Sequence, residues 1–190
     1  MTRDIRAKDL LQAPTAITAV SFGAVVEGSR RLDTREGKIQ VIAGRIGDVV
    51  DGFVARKFDM SSDAGAIADV TADKLGMLAI ATGAWKHDIV PRPILVAMAA
   101  KHITNAGATL YNGLTDDKKR SIRPPKSGKY SMAADTLSLG AFMLADELDP
   151  ESSAYHVARG IGYTAFAAGM VFGAVSTRHY LKNEFDEAAQ

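Results

Sequence analysis

The chain has 190 residues, 47% of them hydrophobic and 24% charged, which is enough apolar content for a packed core and too much for intrinsic disorder. Its 23 Lys and Arg against 22 Asp and Glu give a formal charge of +1, which argues against a nucleic-acid partner bound by bulk charge. Cys is absent, so a disulfide scaffold and a Cys-ligated zinc or iron–sulfur site are excluded. Residues 1–10 carry Arg3, Asp4, Arg6, Lys8 and Asp9 and do not read as a secretory signal.

In chain order the apolar stretches are 10–26, 39–54, 64–85, 89–114, 130–145 and 160–177. The first holds 17 residues without a charge and the last holds 18, close to the ~20 that cross a bilayer core. The four between them are interrupted by isolated charges. On hydropathy alone a soluble helical bundle and a membrane bundle both remain open. Ala is abundant, and Gly is spread through the apolar stretches rather than gathered in turns. Gly160, Gly162, Ala165, Gly169 and Gly173 form a small-residue series of the kind that lets membrane helices approach closely. Breaks at 27–37, 57–63, 86–88, 115–128 and 146–152 divide the chain into six helices. The expected fold is all-α, a single membrane domain over residues 1–190 with six transmembrane helices.

With the N-terminus inside, the inner segments hold 13 Lys and Arg and the outer segments 6, which places both termini in the cytoplasm. The fifth connection, Asp146-Glu147-Leu148-Asp149-Pro150-Glu151, is acidic and falls outside. Trp85, Tyr111, Tyr130, Tyr155 and Tyr180 fall near expected helix ends, as in an aromatic belt, although soluble bundles show the same habit.

The chemistry concentrates in residues 48–74. Asp48 and Asp51 are three apart and share a helix face. Gly65, Asp69 and Asp73 are spaced by four and share another. A turn at 57–63 brings the two helices together at the inner end of the bundle. Four clustered carboxylates repel unless cations neutralise them, and hard oxygen donors select Mg²⁺, Mn²⁺ or Ca²⁺. Charges on apolar helices mark function by default in a membrane, and a solvated face in a soluble bundle. Asp59 and Asp63 read as solvated.

The run Asp48-x₂-Asp51-Gly52-x₂-Ala55-Arg56-x₈-Gly65-x₃-Asp69-x₃-Asp73 resembles, at every fixed position and with the right gap, the signature of the CDP-alcohol phosphotransferase family. The resemblance implies that Asp48, Asp51 and Asp69, with Asp73 sharing, bind Mg²⁺ or Mn²⁺ on the diphosphate of a CDP-linked lipid. It makes Asp73 the catalytic base that takes the acceptor hydroxyl's proton. It assigns CDP binding to Gly52, Ala55, Gly65, Arg56 and Thr18, the last being what this chain keeps of an N-x-x-T-x-x-R pattern. It implies an integral protein of the inner or plasma membrane, its site facing the cytoplasm, acting on CDP-diacylglycerol as a homodimer.

Pro125-Lys126-Ser127-Gly128-Lys129 resembles the P-x-x-G-K loop of members that use phosphorylated acceptors. Arg123, Lys126, Lys129 and Arg178 are the expected acceptor-phosphate residues; a basic inner loop obeying the charge bias is the competing explanation. Asp69-Val70-Thr71-Ala72-Asp73-Lys74 looks like the D-x-x-A-D-K of phosphatidylglycerophosphate synthases, which points to glycerol 3-phosphate as acceptor. Tyr130-Ser131-Met132 departs from that subgroup's usual continuation, which keeps inositol phosphate or another alcohol as alternatives. A non-catalytic membrane protein retaining the fold is the rival, and it would have no reason to keep four carboxylates. His87, His102, His156 and His179 share no ligand spacing; His102, beside Lys101 and Asn105, reads as packing.

Overall fold

The computed structural model describes residues 13–57, 63–115 and 125–182. They form six helices: α1 (Ala13–Arg30), α2 (Arg35–Lys57), α3 (Asp63–Lys86), α4 (Arg92–Thr115), α5 (Lys126–Ala145) and α6 (Ser153–Lys182). No strand occurs among the described residues.

Local chemistry explains where the helices begin and end. Thr34 caps α2: its Oγ1 accepts the Gly37 N–H at 3.1 Å and donates to the Arg31 carbonyl at 2.8 Å. Ser152 caps α6 in the same way, accepting the Tyr155 N–H at 3.1 Å and donating to the Asp149 carbonyl at 2.6 Å. Helix α3 ends with Asp88 in the left-handed region, φ 52°, which Asp tolerates better than most residues. The Ile89 N–H then returns to the Ala84 carbonyl at 3.1 Å, and Pro91 precedes α4. The first break is shorter than its charges suggest. Glu27 stays on the last turn of α1 and pairs with Arg31 at 3.1 Å and Arg30 at 3.6 Å, so charge here decorates a helix rather than ending it.

The chain forms two compact units, residues 1–89 and 90–190. In the first, α1 packs against both α2 and α3, which meet each other only slightly. Glycines bring α1 and α2 close: a Cβ on Gly28 would stand 2.5 Å from the Gly37 carbonyl oxygen, and one on Gly44 2.6 Å from that of Ser21. In the second unit α6 packs against both α5 and α4. Phe142, Met143 and Leu139 of α5 are buried there, and the Phe142 ring covers Gly162.

Polarity is distributed against the usual rule. Ser21, Ser29, Lys38, Lys101, Ser131, Asp135, Ser138 and Ser176 are buried. Meanwhile each helix exposes large apolar side chains, for example Val20, Ile42, Leu78, Ile103, Leu137 and Val171. By length and composition α6, over Ser153–His179, is the one described helix apolar enough to cross a membrane. The other five fall short because Gly, Ser, Thr and scattered charges dilute them. Of the expected small-residue series, Gly162, Ala165, Gly169 and Gly173 are buried, whereas Gly160 faces open space.

Candidate functional site

Helices α2 and α3 carry the carboxylate motif, five and three of its residues respectively. Asp48, Asp51, Gly52, Ala55 and Arg56 occupy the C-terminal part of α2, with Asp48 and Asp51 three apart in the helical register. Gly65, Asp69 and Asp73 occupy the N-terminal part of α3, spaced by four. Only residues 58–62 separate the two helices, so their motif-bearing ends lie within ~20 Å by chain length alone. Thr18 lies on α1, the helix that packs against both. The helical backbone is described at these positions, and their side chains lie outside the described set. Among the described residues no group of three or more His, Cys, Asp or Glu is placed to hold a metal ion. The donor set of the motif is all oxygen, two carboxylates from each helix, which fits a hard divalent cation.

The expected acceptor-phosphate residues divide between the ends of two packed helices. Lys126 and Lys129 are exposed on the first turn of α5, whose Gly128 and Lys129 N–H groups bond the Pro125 carbonyl at 2.9 and 3.2 Å. Arg178 is exposed near the end of α6. Ser127 Oγ and His179 Nδ1 stand 3.4 Å apart and link those two helix ends, as do the rings of Tyr130 and Phe172 with centroids 5.6 Å apart. Arg123 lies outside the described residues. Arg159 is occupied elsewhere: it donates to the Tyr155 and Tyr163 hydroxyls at 3.1 and 2.7 Å, and its guanidinium lies over the Phe142 ring.

One constellation escaped the sequence reading. The Lys101 ammonium of α4 sits 2.5 and 2.7 Å from the two oxygens of Asp135 on α5. It also donates to Ser131 Oγ at 3.0 Å and to the Gly169 carbonyl of α6 at 3.2 Å. The pair is deeply buried, with side-chain exposures of 4% and 0%. His102, expected to pack, brings Nε2 within 2.9 Å of Asp135 Oδ2, although out of hydrogen-bond alignment. Asn105 accepts a hydrogen bond from the Thr177 hydroxyl. Two lone opposite charges in apolar stretches were the available signal, since each needs a partner once buried.

No curated protein matches the chain. A family model described as CDP-alcohol phosphatidyltransferase matches residues 12–175. That span takes in the whole carboxylate motif and all but the last turns of α6. The chain therefore belongs to the CDP-alcohol phosphatidyltransferase family, transferases of phospholipid biosynthesis that move a phosphatidyl group from a CDP-alcohol to an alcohol.

Proposed function

We propose that the protein is an integral membrane enzyme that transfers the phosphatidyl group of CDP-diacylglycerol to glycerol 3-phosphate and releases CMP. The observation that carries this reading is the complete motif Asp48 to Asp73, divided between two consecutive helices inside the family match. Family members generally use divalent metal ions, and Asp48, Asp51 and Asp69 would hold Mg²⁺ or Mn²⁺, which when bound supplies positive charge to the diphosphate. Asp73 takes the proton of the acceptor hydroxyl as that oxygen forms its bond to the β-phosphorus. The bond from the β-phosphorus to the bridging oxygen breaks, and its electron pair leaves with CMP. Gly52, Ala55 and Gly65 leave room for the cytidine nucleotide against the helices, Thr18 contacts it, and Arg56 pairs with phosphate.

Membrane embedding is supported by the distribution of polarity. Large apolar side chains face outward on all six helices while serines, two lysines and an aspartate are buried. Water disfavours such an arrangement and hydrocarbon favours it. The proposal extends to six spans in one domain over residues 1–190, with both termini and the site on the cytoplasmic side, a reading that this pattern and the Lys and Arg bias support. Lys126, Lys129 and Arg178, on helix ends linked through Ser127 and His179, with Arg123, would hold the acceptor phosphate. The D-x-x-A-D-K run at Asp69 to Lys74 favours glycerol 3-phosphate.

The test is CMP release from CDP-diacylglycerol by the purified full-length chain with Mg²⁺ or Mn²⁺. Glycerol 3-phosphate, inositol phosphate, inositol, serine and glycerol are supplied in turn. Turnover with glycerol 3-phosphate is expected, turnover with another alcohol alone would reassign the acceptor, and none with any would overturn the catalytic reading. Extraction of the protein by an alkaline carbonate wash without detergent would sink the membrane reading.

A further inference from the structure

We propose that Lys101 is a positioning residue for acceptor recognition: its ammonium holds the first half of α5, and so Lys126 and Lys129, in register with the end of α6 that carries Arg178. The inference rests on the acceptor-phosphate reading given above.

The geometry starts from α6. Gly169 and Gly173 form a notch in that helix, and the Lys101 side chain crosses it from α4 to reach α5. A Cβ on Gly173 would collide with the Lys101 side-chain carbons, and one on Gly169 would stand 2.5 Å from Asp135 Oδ1 and 3.4 Å from the ammonium. The notch therefore accommodates the Lys101 stem at Gly173 and the Asp135 carboxylate at Gly169. An ammonium has three donors, and four acceptor oxygens surround this one: Ser131 Oγ, both oxygens of Asp135 and the Gly169 carbonyl. Ser131 Oγ also donates to the Gly169 carbonyl at 2.9 Å, closing the link between α5 and α6.

Ser131 and Asp135 lie one turn apart on α5, so a single cation fixes both the rotation and the axial position of that helix. The first turn is near. Lys129 and Lys126 precede Ser131 by two and five residues, ~3 and ~8 Å along the axis. A buried ion pair is often no more stabilising than apolar packing of the same volume. Its value here lies in the single register it permits, because Asp135 and Ser131 must both face the notch. Without the ammonium, α5 can slide or turn against α6, and the exposed cations at its N-terminus lose their alignment with Arg178.

The experiment measures kcat and the two KM values of the purified full-length enzyme, using glycerol 3-phosphate, or inositol phosphate where that is the acceptor turned over. The variants are Lys101→Met, Ser131→Ala and, as a control on the acceptor site itself, Lys129→Gln. Ser131→Ala removes a single hydroxyl beside the ammonium and decides the matter if Lys101→Met does not fold. Both positioning variants should raise the acceptor KM by about tenfold, the effect of roughly one charge-assisted hydrogen bond, with the CDP-diacylglycerol KM held within about twofold. If Lys129→Gln raises the acceptor KM and the folded positioning variants do not, the inference is overturned while the acceptor site stands. A parallel change in kcat and both KM values would also overturn it, since that is the mark of general loosening. If Lys129→Gln leaves the acceptor KM unchanged, the acceptor-site reading fails and the positioning role falls with it.

Discussion

The two units of the molecule differ in how their aspartates are matched with positive charge. In the second unit a lone aspartate, Asp135, meets a lysine from another helix, and the protein neutralises its own carboxylate. In the first unit residues 48–73 hold six aspartates against Arg56 and Lys57, and four of those aspartates occupy the family's motif positions. A carboxylate with an internal lysine is spoken for, and its chemistry is structural. With the motif carboxylates gathered as proposed, a divalent cation and the substrate it carries would supply the positive charge that the neighbouring sequence lacks. On the proposed function the same residue type would serve architecture in one unit and catalysis in the other, the difference lying in where the positive charge comes from.

The sharpest way to break the comparison is to remove charge from the motif. Asp51→Asn or Asp69→Asn keeps shape and takes one negative charge from the proposed cation site. Turnover should fall by about 10³-fold or more, since charge stabilisation by a metal is worth several kcal/mol. CMP release titrated against Mg²⁺ or Mn²⁺ checks it, and full activity at limiting metal would count against the ligand assignment. Asp73→Asn separates base from ligand. It should lower kcat by about 10²–10⁴-fold with CDP-diacylglycerol binding little changed. Recovery of that variant at high metal would make Asp73 mainly a ligand.

In the second unit the corresponding experiment reads stability. Asp135→Leu leaves the Lys101 ammonium buried without its counter-charge and should cost about 3–5 kcal/mol. The double variant Lys101→Met/Asp135→Leu removes both charges and should recover most of that loss, because an apolar pair of similar volume has no uncompensated charge to bury. Thermal unfolding in detergent, read as a double-mutant cycle, measures the coupling. Additive losses would mean that the two side chains do not form a pair.

These outcomes also mark what the amino-acid order reveals. The motif is legible because its spacing lies within two consecutive helices, where intervals of three and four translate directly into a shared face. The six helices are legible from the breaks between apolar stretches, although α4 begins at Arg92, just after Pro91, and α5 at Lys126, just after Pro125, rather than at 89 and 130. The Lys101–Asp135 pair is not, because its members lie 34 positions apart on two different helices and no local interval encodes a contact across a bundle. Gly169 and Gly173 were legible as small but not in their purpose: Gly173 admits the Lys101 side chain and Gly169 the Asp135 carboxylate. Whether Asp48 to Asp73 gather as their spacing implies is what the motif variants decide.

The smallest expected effects concern glycines, and they test helix contact in each unit. Gly44 lies on α2 against α1, where a Cβ would stand 2.6 Å from the Ser21 carbonyl oxygen and 2.7 Å from Val25 Cγ2. The obstacle is partly backbone, which cannot rotate away, so Gly44→Ala must push the helices apart. The cost should be about 1–3 kcal/mol, seen as a lower unfolding midpoint. Gly160 lies on α6 with nothing within 4 Å of the position a Cβ would take. There the substitution meets no neighbour and removes only the entropic penalty of glycine in a helix, so Gly160→Ala should stabilise by up to about 1 kcal/mol. The opposite signs matter more than either size. Both changes add one methyl group to a helix interior, so helix propensity favours both alike, and only contact with another helix can reverse the first. Equal midpoints for the two variants would show that α1 and α2 do not approach as closely as Gly28, Gly37 and Gly44 allow.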